Sequence, residues 1–286
     1  MPVISLRKIS FKYLGGKTRA LDGISLEVRE GEFLLVLGGD GSGKSTLCKT
    51  LNGLIPHETK GEFSGEALLR GRSMEAMHAR EIVRSVGLSL QDPDVQLFTD
   101  SVEEEVAFGP ENLGVPVNEI DERVSRALEM TGLSLLKDKS PSALSGGQKQ
   151  RLAIAAVLSM SPEVIVLDEP LSMLDPKGRA EFLIVLDALR KETGMAVVMT
   201  SQEAEEVLPH CDRVAILSKG ALVGVGTPAE TMRSSQSLES LGIEPPQLLA
   251  LSESLSRAGL NPGESLFYDE CGAMAVLGRS GRTGGR

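Results

Sequence analysis

Phe33-Leu34-Leu35-Val36-Leu37-Gly38-Gly39-Asp40-Gly41-Ser42-Gly43-Lys44-Ser45-Thr46 is a short apolar run that breaks into glycines and then meets a lysine and two hydroxyls. Five consecutive apolar residues bounded by glycine read as a buried strand. From Gly38 to Ser45 the chain fits G-x-x-x-x-G-K-[ST], in the strand-to-helix setting that pattern requires. Glycines let successive backbone N–H groups turn inward without a Cβ clash. Those N–H groups and the following helix N-terminus form an anion cradle. In it Lys44 reaches terminal phosphates, the Ser45 hydroxyl ligates Mg²⁺, and Thr46 follows in the same turn. Asp40 is unusual there: a carboxylate facing phosphates repels them, so its side chain is expected to face outward and cap the next turn.

Outward from this loop, residues 3–11, 25–29, 86–90, 164–167, 196–199 and 214–217 read as further strands, and residues 47–54 as a helix. Helical stretches between them predict an α/β core with a mostly parallel sheet. Residues 92–160 break the alternation. There Ile120, Val124, Ala127 and Leu128 fall on one helical face, which predicts an inserted helical subdomain. Residues 246–258 read as a helix with Leu248, Leu251 and Leu255 on one face and Gly259 at its end. The division is thus 1–240 for the main domain, 241–277 for a small C-terminal extension, and 278–286, a Gly/Arg/Ser/Thr tract, for a disordered tail.

Composition narrows the function. The net charge of −10 disfavours a nucleic-acid partner, which requires clustered Lys and Arg. Cys48, Cys211 and Cys271 are far apart and show no zinc or disulfide spacing, so a reducing compartment is expected. The N-terminal residues show no secretory leader pattern. No apolar run approaches the ~18 residues of a membrane helix.

Val164-Ile165-Val166-Leu167-Asp168-Glu169-Pro170 is a buried strand ending in two acids. At that edge Asp168 suits Mg²⁺ and Glu169 suits the attacking water. The deciding stretch is Leu144-Ser145-Gly146-Gly147-Gln148-Lys149-Gln150-Arg151, which resembles the signature motif of the ABC ATPase family. Ser145, Gly146 and Gly147 offer a hydroxyl and N–H groups at a second helix N-terminus. The resemblance implies two composite sites at a head-to-tail dimer interface, each phosphate loop facing the partner's signature. It also implies that Tyr13 stacks on adenine, that Gln91 is the Q-loop glutamine sensing Mg²⁺, and that Ser172-Met173-Leu174-Asp175 is the D-loop, with Asp175 reaching the partner. Residues 86–98, 101–114 and 51–57 are similar to ATPases of energy-coupling factor (ECF) importers, which take up vitamins or transition-metal ions. One position departs. Where the family places a histidine against the γ-phosphate, this chain has Gln202.

The fold expected is therefore a P-loop ABC ATPase core with an antiparallel N-terminal β portion, the helical insert and the extension. The resemblance implies hydrolysis of Mg-ATP, with Glu169, Lys44 and Gln202 in the chemistry. The nucleotide would lie against Tyr13, the loop Gly38-Gly39-Asp40-Gly41-Ser42-Gly43-Lys44-Ser45-Thr46, Gln91, and the partner's signature and D-loop. Mg²⁺ would rest on Ser45, Gln91 and Asp168. The implied partners are a second ATPase subunit, identical or related, a transmembrane coupling protein and a substrate-binding membrane subunit, at the cytoplasmic face of the cell membrane. Two alternatives stand beside it: a regulatory or degenerate ATP-binding subunit, which Gln202 favours, and a soluble ABC ATPase acting on ribosomes or DNA.

Overall fold

The computed structural model describes residues 2–232, 235–260, 266–268 and 270–280. The chain starts with β1 (Pro2–Tyr13) and β2 (Leu21–Arg29), an antiparallel pair. Every residue of β3 (Phe33–Leu37) is buried, as its unbroken apolar run requires. The phosphate loop follows and opens α1 (Lys44–Leu51). That helix starts three residues earlier than the apolar pattern suggested. It also ends earlier, because Gly53 takes a left-handed φ of 81°. After the short α2 (Leu54–His57) come β4 (Gly61–Leu69) and β5 (Arg72–Ser73). They extend the first sheet to the order β2-β1-β4-β5.

α3 (Ala79–Ser85) leads into β6 (Val86–Ser89). The insert then contributes α4 (Val102–Leu113), α5 (Val117–Met130) and α6 (Gly146–Leu158). Ile120, Val124, Ala127 and Leu128 are buried with Val102, Val106, Leu144 and Leu152 in a hydrophobic cluster of the insert's own. β7 (Val164–Asp168), α7 (Pro176–Thr193), β8 (Ala196–Ser201), β9 (Arg213–Ser218) and β10 (Ala221–Gly226) complete the second sheet. Its order is β10-β9-β3-β8-β7-β6, parallel from β9 to β6, with β10 antiparallel at the edge. The C-terminal ends of β3, β7 and β8 therefore emerge side by side, and the phosphate loop, Glu169 and Gln202 lie just beyond them.

α8 (Pro228–Thr231), α9 (Ser235–Ser240), α10 (Gln247–Arg257) and α11 (Glu270–Ser280) follow. Met232, Leu238, Ile243 and Leu249 share one hydrophobic cluster with Leu35, Leu167 and Met199 of the central sheet. The inward face of α10 differs from the leucine stripe read in the sequence. Leu249 and Ser252 are buried and Leu251 is exposed, because the Ser252 hydroxyl accepts the N–H of Phe267 and fixes the helix rotation. Gly259 does follow the end of α10, with φ 70°. Residues 278–280, assigned to a disordered tail, lie in α11, and residues 281–286 are outside the described residues.

Candidate functional site

Sheet register builds the centre of the site. Asp168 pairs with Thr200 across the β7–β8 ladder. The Thr200 hydroxyl donates to Asp168 Oδ1 at 2.8 Å and accepts the Glu169 N–H at 3.0 Å. One side chain thus fixes the buried carboxylate and the backbone of the next residue. Glu169 itself has φ 48°, a left-handed conformation that costs a non-glycine residue about 1 kcal/mol or more. This turn brings its carboxylate back over the phosphate loop.

There Glu169 Oε1 lies 3.0 Å from Lys44 Nζ, with the two side chains only 5% and 14% exposed. Lys44 also donates to the carbonyls of Gly38 at 2.7 Å and Gly39 at 3.0 Å. Three acceptors match the three donors of an ammonium group. Gln91 reaches the same carboxylate, its amide Nε2 3.3 Å from Glu169 Oε2. Gln202 does so from just past the end of β8, with Nε2 3.4 Å from Glu169 Oε1. Lys44, Gln91, Gln202 and Glu169, distant in sequence, therefore meet at one point.

The loop around Lys44 has the shape of an anion cradle. A Cβ on Gly38 would lie 2.5 Å from the Leu217 carbonyl, and one on Gly43 (φ 108°) 2.5 Å from the Ala20 carbonyl, so neither position admits a side chain. Gly41 has φ 69° and open space around it. The Ser42 hydroxyl is buried without a partner. An orphaned donor of this kind fits a phosphate oxygen. Near the loop, Ser45, Asp168 and Gln91 provide a hydroxyl, a carboxylate and an amide oxygen, a hard-oxygen set suited to Mg²⁺ shared with phosphates and water. Among the described residues no group of three His, Cys, Asp or Glu side chains could hold a metal by itself. Cys48, under Asp168, has its thiol pKa pushed well above the ordinary value, first by burial and then by the Asp168 charge.

Asp40 corrects the sequence reading. It caps no turn. Its Oδ1 accepts from Gln202 Nε2 at 2.6 Å, and Gly43 occupies the N-cap of α1 without side-chain capping. Tyr13 sits at the end of β1 with its hydroxyl 3.0 Å from Thr46 Oγ1 and its ring edge-on to Phe11.

The signature lies elsewhere on the chain. Ser145 caps α6: its hydroxyl accepts the Gln148 N–H, and Gln148 Oε1 accepts the Ser145 N–H. A Cβ on Gly147 would lie 3.3 Å from the Met173 carbonyl, so the signature abuts residues 172–175. Asp175 is held locally as the N-cap of α7, accepting from Gly178 N–H at 2.7 Å. Among the described residues, Ser145, Gly146, Gly147 and Asp175 share no hydrogen bond with the Lys44–Glu169 cluster. Sequence reading missed Thr200, whose signal was a polar residue at the end of an apolar strand. It also missed Arg179, which ties α7 to the segment after Gln202 by pairing with Glu203 at 2.8 Å and Glu206 at 3.5 Å.

Known proteins resemble this chain in sequence and in overall fold. The family model described as ABC transporter matches residues 21–172. The energy-coupling factor transporter ATP-binding protein EcfA2 of Clostridium tetani is 41% identical over 264 residues, covering 91% of this chain and 90% of that protein. The structure of cbiO1 from Clostridium perfringens, described as part of the ABC transporter complex cbiONQ, superposes with a TM-score of 0.72 at 34% identity, covering 90% of this chain and 97% of that one. A dimeric ATP-binding cassette in a post-hydrolysis state, bound to ADP and Pi, gives a TM-score of 0.69 at 26% identity, covering 78% and 98%.

Proposed function

This chain belongs to the ABC transporter ATPase family, and on that premise we propose that it is the ATP-hydrolysing subunit of an energy-coupling factor importer for a vitamin or a transition-metal ion. The observation that carries the catalytic part is the convergence of Lys44, Gln91 and Gln202 on the single carboxylate of Glu169.

In this reading ATP entry moves Lys44 from Glu169 and the Gly38 and Gly39 carbonyls onto phosphate oxygens. Glu169 is then free to orient a water and accept its proton. The water oxygen bonds to the γ-phosphorus as the bond to the bridging oxygen breaks, leaving ADP and inorganic phosphate. Loop N–H groups and Lys44 balance the charge spread over the transferring group. Mg²⁺, held by Ser45, Asp168 and Gln91, would supply further neutralisation of the β- and γ-phosphates. Tyr13 would lie against the adenine. The separation of the α6 N-terminus from the Lys44 cluster supports a head-to-tail dimer, in which Ser145, Gly146, Gly147 and Asp175 serve the partner's nucleotide.

Among the described residues no helix is long and apolar enough to cross a membrane, so transport requires membrane partners. Phe98 and Phe108 stack edge-to-face on the surface, 65% and 43% exposed, just past Gln91. A groove there, lined by Thr99, Glu103, Glu104, Ala107 and Glu111, is the proposed seat of a helix of the transmembrane partner at the cytoplasmic membrane face. Gln202 favours a slow site of this chain beside a faster one on a related ATPase subunit.

The test is membrane uptake and ATP turnover by the complex that co-purifies with this chain after gentle solubilisation. Lys44→Ala should abolish both. Retention of near-normal turnover would overturn the assignment of the phosphate loop.

A further inference from the structure

We infer that Asp40 is a positioning residue for Gln202: the phosphate-loop carboxylate fixes the glutamine amide so that its nitrogen, not its oxygen, faces the γ-phosphate. The inference rests on the reading that hydrolysis takes place beside Glu169.

The geometry is a shared amide. Gln202 Nε2 lies 2.6 Å from Asp40 Oδ1 and 3.4 Å from Glu169 Oε1. A carboxylate only accepts, so an amide placed between two carboxylates must present NH₂ to both. Its two N–H bonds divide between the loop and the catalytic carboxylate. When Glu169 turns to a water, the N–H facing it becomes available to a phosphate oxygen while the other stays on Asp40. Without Asp40 the amide is free to rotate about its last torsion, and half of its orientations present a carbonyl oxygen to an anion. The bond to Asp40 is charge-assisted, which makes it stronger than a neutral amide contact.

Residues 241–244 contact the chain neighbours of both partners. A Cβ on Gly39, the neighbour of Asp40, would lie 3.0 Å from the Leu241 carbonyl and 3.1 Å from that of Gly242. Glu203, the neighbour of Gln202, forms a parallel β-bridge with Glu244. Ile243 between them is 1% exposed in the main core. One segment therefore backs both the loop and the stretch that carries the residue it orients. Asp40 carries a cost as well, since its charge near the phosphates opposes ATP binding.

The test is single-turnover hydrolysis of ATP by the full chain, with Asp40→Ala, Asp40→Asn, Gln202→Ala and the Asp40→Ala/Gln202→Ala pair. Asp40→Ala should lower the hydrolysis rate about tenfold, as expected on losing a hydrogen bond to a charged group, while ATP binding stays equal or tightens. Asp40→Asn retains an acceptor for Gln202 and should recover most of the rate. The double variant should be no slower than Gln202→Ala. An unchanged rate in Asp40→Ala, losses that multiply in the double variant, or weaker ATP binding in step with the slower rate would each overturn the inference. Glu169→Gln belongs in the same series. If it hydrolyses ATP normally, the reading of the whole site falls and this inference with it. If it is inactive while the Asp40 and Gln202 losses multiply, only the positioning role fails.

Discussion

Glu169→Gln should give a chain that holds ATP more tightly than the unsubstituted protein and does not hydrolyse it. The first half follows from what Glu169 does before nucleotide arrives. Its carboxylate is 3.0 Å from Lys44 Nζ, and both side chains are largely shielded from solvent. At an effective dielectric of about 20, that separation corresponds to roughly 5 kcal/mol of gross attraction. Desolvation of the two ions offsets most of it, leaving a net of about 1–2 kcal/mol. ATP has to displace that contact to reach Lys44. Removing the charge should therefore tighten ATP binding about tenfold. The second half follows because an amide cannot accept the water's proton, a loss on the order of 10²- to 10⁴-fold in rate. Titration with a fluorescent ATP analogue measures the affinity. Single-turnover assays measure the rate, and size-exclusion with Mg-ATP should reveal an accumulated dimer. Unchanged or weaker binding, together with turnover within about threefold of normal, would refute both the competition and the proton-acceptor role.

Other outcomes follow from the same structure. Lys44→Ala should abolish turnover in the assembled complex, because no second side chain among the described residues places an ammonium group in the loop; a phosphate-release assay decides it. Gln202→His should raise turnover of the isolated chain by about tenfold if a charged donor to the γ-phosphate is what the site lacks, and vigorous turnover without the change would remove that explanation. Phe108→Asp should release the chain from its membrane partner without loss of ATP binding, and cross-links mapping wholly outside residues 85–115 would move the docking site elsewhere. Glu105 is unsuitable as a docking probe despite its place in an acidic run: it is 3% exposed and accepts the N–H groups of Phe98 and Thr99 and the Thr99 hydroxyl. Glu105→Gln should cost about 2 kcal/mol in denaturant unfolding, and a loss under about 0.5 kcal/mol, ordinary for a surface change, would contradict that role.

Local pattern made some of this legible. β3 was readable because five apolar residues between charged and glycine-rich flanks admit only a buried strand, and the loop after it because its glycines have one common use. The face of α5 was readable because Ile120, Val124, Ala127 and Leu128 repeat with the helix period and pack as a unit. β4 and β10 escaped because their apolar residues are few and broken by glycines: β4 is largely exposed until its last three residues, and β10, at the sheet edge, is only half-buried. The rotation of α10 escaped for a different reason. Leu248 and Leu249 head two adjacent stripes, and a hydrogen bond from Phe267 chooses between them. Asp40 shows the limit most clearly. Its local sequence supports a turn cap, but its partner stands 162 residues away. Thr200 shows in the sequence only as a polar end to an apolar strand, because both of its hydrogen bonds cross to the end of the neighbouring strand.

The contact of Leu241 and Gly242 with Gly39 has a consequence for how the protein comes into being. During synthesis the phosphate loop leaves the ribosome about two hundred residues ahead of the segment it leans against. Until residues 241–249 have emerged and Ile243 and Leu249 have seated in the core, the loop lacks the surface it leans against. A nascent chain therefore carries the loop's whole sequence without its final shape. Competence to grip nucleotide arrives only with residues 241–249, after both sheets have been made.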